Sequence, residues 1–249
     1  MDREKYYNRI ENPEMLDYGV YLKCDQLLTC QKPLDELCNA DELQFQIVHQ
    51  VEELWMKLMT FTLVDVIDFL QQGETHRVLT LMGRVSALQR LMTNQLDILE
   101  TMSPKEYQQI RLQLGNGSGQ ESPGFRMLLK MPPDMWKAYT ETYLAPDKLT
   151  IADIYDEKYS HDGRYAIAEA LIEFDEQFQK FRWNHLFLIH RSIGLSSKSL
   201  KGRPVDLLQS GAKHRFFPEL WDIRSAMTDK WGGTYGVVRE PIHKKPTGK

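Results

Sequence analysis

The stretch from Ala166 to Gly194, A-I-A-E-A-L-I-E-F-D-E-Q-F-Q-K-F-R-W-N-H-L-F-L-I-H-R-S-I-G, constrains the fold more than any other part of the chain. It has neither proline nor an internal glycine, so nothing in it interrupts a helix. Leu171, Phe174, Phe178, Phe181, His185 and Leu188 follow one another at alternating spacings of three and four. That is the seam of a long helix packed against partners. One member of the seam is a histidine. Between Phe181 and Leu188, it must hydrogen-bond, ligate something or lose its charge.

A seam of this length needs other helices to cover it, and the rest of the chain supplies them. Residues 1–16 read as a polar arm whose Tyr6, Tyr7 and Ile10 suit docking on a neighbour. Tyr18 to Leu28 predicts a short helix. Asp41 is placed to cap a long helix from about Glu42 to Gln72, closed by Gly73. Its apolar stripe is Ile47, Val51, Leu54, Leu58 and Phe61, widened by Val48, Trp55 and Met59. Thr75 opens another long helix ending near Met102, with Leu79, Met82, Val85, Leu88, Met92 and Ile98 in helical register.

Ser103-Pro104-Lys105-Glu106 reads as a capping box that starts a helix to about Leu114. Gly115 to Gly124 is a glycine- and serine-rich loop without the flanking strand or G-K-[ST] of a phosphate loop. Shorter helices are predicted at Phe125–Lys130, Asp134–Leu144, Ile151–Glu157 and Val205–Ser210, with a last one from Phe216. Strand patterns are almost absent and no internal repeat occurs. The expectation is an all-α, single-domain bundle over residues 1–249, with an arm at 1–16 and a tail at 228–249.

A formal net charge of -4 gives no electrostatic argument for nucleic acid or an anionic membrane surface. Apolar runs are too short for a membrane helix, and the first ten residues lack the apolar core of a signal peptide. Cys24, Cys30 and Cys38 fit neither a disulfide framework nor a zinc site, which suggests a reducing cytoplasm.

The chemistry rests on histidines. Glu-x-x-His occurs only once, at Glu240 to His243 across a proline in the tail and not on two helices, and H-E-x-x-H is missing, which argues against di-iron and zinc-hydrolase sites. His185 among aromatic residues reads either as a satisfied core histidine or as the proximal ligand of a haem. His49, with Phe45 one turn before it, reads either as a boundary histidine paired with Glu52 or Glu53 or as a group facing a substrate.

Four blocks together resemble the tryptophan 2,3-dioxygenase family, from about Tyr18 to Met227. Y-G-V-Y-L-K-C-D-Q-L-L resembles the family's Y-x-x-Y-L-x-x-D-x-L-L, and F-Q-I-V-H-Q-V-E-E-L-W its F-x-x-x-H-Q-x-x-E-L-W. E-Y-Q-Q-I-R-L-Q-L-G-N-G-S-G is similar to E-Y-x-x-F-R-x-x-L-G-x-x-S-G. The fourth block is E-Q-F-Q-K-F-R-W-N-H-L-F-L-I-H-R-S-I-G followed by R-F-F-P-E-L-W-D-I-R-S. The resemblance implies a helical subunit holding haem b, a homotetramer, and ring-opening of L-tryptophan by O2 to N-formylkynurenine at the head of the kynurenine pathway. It implies His185 as the axial ligand of the haem iron and His49 as the distal group facing the indole N–H. Arg111 would hold the substrate carboxylate, Phe45, Tyr107 and Leu114 would line the pocket, and Tyr18 and Tyr21 would reach in from a neighbouring subunit.

One segment departs from the family. Where it has G-T-G-G-S-S-G, this chain has K-S-L-K-G-R-P from Lys198 to Pro204, with Ser199 at the position of the substrate-contacting Thr. The region between the third and fourth blocks is also shorter than in typical members. Three alternatives therefore stand beside the dioxygenase. One is a haem monooxygenase or hydroxylase acting on an indole or another aromatic amino acid. Another is a haem or O2 sensor without turnover, and the last a helical interaction protein. W-G-G-T-Y-G, beginning at Trp231, is a candidate substitute lid.

Overall fold

A computed structural model of the chain describes residues 2–115, 117–156, 162–194, 198 and 211–231. Every element among these residues is helical: α1 (Glu4–Glu11), α2 (Asp17–Leu22), α3 (Cys24–Leu27), α4 (Asp41–Gln72), α5 (Thr75–Leu99), α6 (Pro104–Gln113), α7 (Pro123–Leu128), α8 (Pro132–Tyr139), α9 (Ile151–Asp156), α10 (Gly163–Ile193) and α11 (Pro218–Trp231). The helix expected at Val205–Ser210, Ser199 and the segment after Trp231 lie outside the described residues. No helix among the described residues is long and apolar enough to cross a membrane.

Local chemistry explains where the helices start and stop. Gly73 ends α4 in the left-handed conformation (φ 73°), and its N–H and that of Glu74 bond back to Leu70 and Phe69 carbonyls. Asp41 is not the cap expected of it: it is already helical, and Asn39 Oδ1 accepts its N–H instead. Ser103 Oγ accepts from Glu106 N–H, with Pro104 in the first turn. Asp162 accepts from the N–H groups of Arg164 and Tyr165, so α10 starts at Gly163, before the predicted Ala166. The helix expected from Tyr18 to Leu28 is broken at Lys23, whose φ of 54° no helix accommodates. Pro123, Pro132 and Pro218 begin α7, α8 and α11, because proline at the first turn gives up no hydrogen bond.

Helix α5 is the centre of the bundle, packed along its length on α4 and on α10. The main core is built from Met59, Leu63, Val66 and Leu70 of α4, Val78, Met82 and Val85 of α5, and Leu171, Phe174 and Phe178 of α10. Each such side chain contributes about 1.5–3 kcal/mol relative to exposure. A smaller cluster, Val48, Leu96, Leu99 and Leu188 with Phe45 and Phe181 against it, lies near the opposite end of the three helices.

The stripe predicted for α4 divides in two. Val48, Met56 and Met59 face inward, whereas Ile47, Leu54, Leu58 and Phe61 form a second apolar face turned outward, Phe61 being 69% exposed. The arm helix α1 buries none of its residues within the chain.

Two buried carboxyl groups differ in how they are satisfied. Asp175 on α10 is fully buried. Its Oδ2 accepts from the N–H groups of Phe216 (2.7 Å) and Phe217 (3.1 Å) and from the Trp221 indole N–H (2.9 Å); Oδ1 accepts from Gln179 (3.2 Å). One carboxylate thus ties the start of α11 to α10. Glu52 on α4 is also buried, but among the described residues Oε1 has no hydrogen-bond partner, and neither does the buried Nε2 of Gln95. Burial raises the Glu52 carboxyl from its ordinary 4.5 to about 7; the Gln95 amide opposes this and the neighbouring Glu53 adds to it.

These two groups give opposite predictions. Asp175→Ala leaves four donors without this acceptor and is expected to cost about 3–5 kcal/mol in urea denaturation; a loss below about 1 kcal/mol would show that the tie is dispensable. Glu52 keeps its proton in the folded state at pH values where the unfolded chain has lost it. Stability therefore falls as pH rises from about 4.5 through about 7, by an amount on the order of 2–3 kcal/mol. Glu52→Gln should flatten that slope and be more stable than the parent at pH 8 but not at pH 4. Parallel pH profiles for parent and variant would contradict this.

Candidate active site

The polar residues singled out in the sequence converge where α4, α6 and α10 meet, above the smaller cluster. Helix α6 touches both α4 and α10, and Asn39 holds it to the start of α4 by donating to Glu106 O (3.1 Å) and Gln109 Oε1 (3.0 Å).

On α4, the rings of Phe45 and His49 stand one turn apart, with centroids 4.2 Å from each other. His49 Nδ1 lies 2.7 Å from the Phe45 carbonyl. A carbonyl only accepts, so Nδ1 carries the proton and, in the neutral ring, Nε2 keeps its lone pair. Burial depresses the His49 pKa, against smaller opposing effects of the Phe45 carbonyl and Glu53. At neutral pH the ring is an uncharged acceptor pointing away from its own helix.

On α6, Tyr107 and Arg111 share a face. The Tyr107 ring stands 6.3 Å from that of Phe45. Burial raises its hydroxyl pKa, and the Arg111 charge partly offsets that. Arg111 Nη2 donates to the backbone carbonyl of Lys198 at 2.6 Å, so the first residue of the divergent loop reaches the guanidinium. Leu114 lies at the rim, partly exposed.

On α10, His185 stacks on Phe181 (6.3 Å between centroids, 11° between planes). It makes no hydrogen bond among the described residues. Burial, then the charge of His49, lowers its pKa to about 4. A neutral imidazole with an unshared lone pair in an aromatic setting fits a metal-ligand role; the same surroundings would not tolerate imidazolium. Phe45, one turn from His49, and Phe181, one turn from His185, pack against the same small cluster, which puts the two histidines at the same end of α4 and α10. Among the described residues no three His, Cys, Asp or Glu side chains group as a metal cage, so a metal here would bring its other ligands with it.

The loop from Gly117 to Gly124 closes one side. A Cβ on Gly119 would stand 3.9 Å from His185 Cε1. Glu53, which sequence reasoning offered only as a partner for His49, accepts instead from the Ser122 hydroxyl and from Gly124 N–H (3.0 Å). The signal was present in the small residues of the loop, since only a glycine backbone approaches α4 so closely. A cleft of about 580 Å³ runs outward from His49 and Glu53, walled by Leu27, Leu54, Pro123 and Gly124. A second, polar groove of about 390 Å³ between α5 and α10 shares no residue with this site.

The structure thus brings Phe45, His49, Tyr107, Arg111 and His185 together, with Leu114 at the edge. Tyr18 and Tyr21 are 75% and 85% exposed and make no hydrogen bond or ring contact with the site in their own chain.

A family model described as tryptophan 2,3-dioxygenase matches residues 2–131. The tryptophan 2,3-dioxygenase of Serratia proteamaculans (strain 568) is 30% identical to this chain over 259 residues, which cover 84% of the chain and 92% of that protein. The enzyme of the same name from Xanthomonas campestris pv. campestris (strain B100) is 29% identical, covering 85% and 88%. That from Xanthomonas oryzae pv. oryzae (strain PXO99A) is 30% identical over the same shares. The family model spans α4 and α6, the relatives cover more than four fifths of the chain, and the chain belongs to the tryptophan 2,3-dioxygenase family.

Proposed function

We propose that this protein is a haem-dependent dioxygenase that adds both atoms of O2 across the indole C2–C3 bond of L-tryptophan, giving N-formylkynurenine. The observation that carries the proposal is the convergence of Arg111, Tyr107, Phe45 and His49 on the space bordered by His185. These residues supply a cation for the carboxylate, aromatic walls for the indole and one acceptor for its N–H.

His185 is the residue that would hold the haem iron, for the reasons of burial, neutrality and unshared lone pair given above. Bound haem b would supply the activation of O2. The chain's own residues do the rest. Arg111 has five donors and spends one on Lys198 O, which leaves a paired edge for the substrate carboxylate. Tyr107 and Phe45 flank the ring and exclude water. His49 Nε2 accepts from the indole N–H, and because Nδ1 is fixed on Phe45 O the ring cannot rotate away from that task. Its lowered pKa keeps it neutral, so no cation opposes the bound substrate.

Two further parts belong to this reading. The outward apolar face of α4, Ile47, Leu54, Leu58 and Phe61, together with the unburied Tyr6, Tyr7, Ile10, Tyr18 and Tyr21, supports assembly with further copies of the chain into a homotetramer. Three unpaired cysteines support a cytoplasmic location.

The Lys198 carbonyl on Arg111 favours one competing reading. In that reading the substituted residues from Lys198 to Pro204 select another aromatic amino acid or change the outcome to insertion of one oxygen. The test is the product: ferrous, haem-loaded protein incubated with L-tryptophan and O2 should form a ring-opened product carrying two added oxygen atoms. Arg111→Lys, which keeps the charge but loses the fork, should raise KM for tryptophan by about tenfold or more. A single added oxygen would overturn the dioxygenase assignment, and an unchanged KM would remove Arg111 from the carboxylate site.

A further inference from the structure

We infer that Glu53 is a positioning residue: its carboxylate fastens the 117–124 loop to α4, and the fastened loop forms the wall against which His185 stands. Glu53 lies one turn after His49 on the same helix. One oxygen accepts from the Ser122 hydroxyl and the other from Gly124 N–H at 3.0 Å. The Ser122 oxygen in turn accepts from Phe125 N–H at 3.0 Å, so the hydroxyl is held from both sides. A Cβ on Gly124 would come within 2.7 Å of Met56 Cβ and 2.8 Å of Glu53 Oε2. The loop backbone is therefore pressed onto α4 with no room to spare.

The fixed point is carried forward by a tight turn. Ser122 N–H donates to Gly119 O (3.2 Å), Glu121 N–H to Ser118 O (2.8 Å) and Gln120 N–H to Ser118 Oγ (3.2 Å). Gly119, at the far side of that turn, is the residue that faces His185 Cε1. A continuous set of hydrogen bonds thus links a side chain of α4 to the backbone beside a side chain of α10. Glu52 does not substitute: its carboxyl is buried, and its Oε1 has no hydrogen-bond partner among the described residues. A glutamine at position 53 must keep its oxygen on Gly124 N–H and can meet Ser122 only if that hydroxyl turns from donor to acceptor, so both bonds lose their charge and the fastening weakens.

The inference rests on the haem reading for its consequence but not for the fastening itself, and the experiment separates the two. Glu53→Gln, Ser122→Ala, the double variant and Glu52→Gln are compared with the parent. Amide hydrogen exchange of residues 118–125 is followed in the haem-free protein. Haem release to a competing apoprotein and the iron–histidine stretching band are followed in the loaded protein. Glu53→Gln should speed exchange at Gly124 and Phe125 and release of haem by about tenfold, with a shifted stretching band. Ser122→Ala should do so by about threefold, and the double variant no more than Glu53→Gln, because both act in one chain of bonds. Glu52→Gln should stay within about twofold of the parent on every readout.

Parental exchange in both loop variants would overturn the fastening. A freed loop with parental haem release and an unshifted band would overturn the positioning role. If Glu53→Gln does not fold, Ser122→Ala decides on the same criteria. A parent protein that takes up no haem would overturn the haem reading, and with it the role toward His185, while the exchange data would still decide whether Glu53 holds the loop.

Discussion

The structure depends on the fact that the two histidine-bearing helices pack on a third helix between them. Helices α4 and α10 each bury one face against α5, and the cluster of Val48, Leu96, Leu99 and Leu188 marks where all three meet. Phe45 and Phe181 both pack against that cluster, and one turn along from each stand His49 and His185. The spacing between the helices is set by the width of α5 and its side chains, since close packing leaves little freedom to adjust. The result is a space lined by desolvated imidazoles, which burial keeps neutral.

Two carboxylates hold the parts that close this space. Asp175 gathers three N–H donors from the start of α11 and so fixes that helix against the middle of α10. Glu53 does the equivalent for the glycine-rich loop. In both cases a backbone segment without regular structure finds its hydrogen bonds in one helix side chain, so its position follows the helix. Glu52, one residue away from Glu53, has no such donors and keeps its proton instead. The contrast shows that what a buried acid does depends on the donors it meets and not on the helix that carries it.

Much of this was legible in the sequence. The seam of α10 predicted the buried set from Leu171 to Leu188, because the repeat of three and four is a property of the helix itself. Gly73, Ser103 and Pro104 predicted helix ends, because capping is local. The family resemblance carried the candidate residues, and five of them meet in space. The α4 stripe was not legible: periodicity shows that Ile47, Leu54, Leu58 and Phe61 share a face, but not that the face points outward. The break at Lys23 follows from a left-handed backbone that no residue pattern announced. Glu53 was visible as a charge near His49. Its partners Ser122 and Gly124 are far along the chain, and only the fold brings them to it.

The central claim is that the space between α4 and α10 holds haem through His185. The rival ligand on the same helix is His190, whose Nε2 is buried without a hydrogen-bond partner among the described residues. Titration of the haem-free protein with haemin, followed at the Soret band, distinguishes them. The account predicts saturation at one haem per chain for the parent and for His190→Ala, and loss of tight binding for His185→Ala. Tight binding that survives His185→Ala, or that is lost only with His190→Ala, would contradict it.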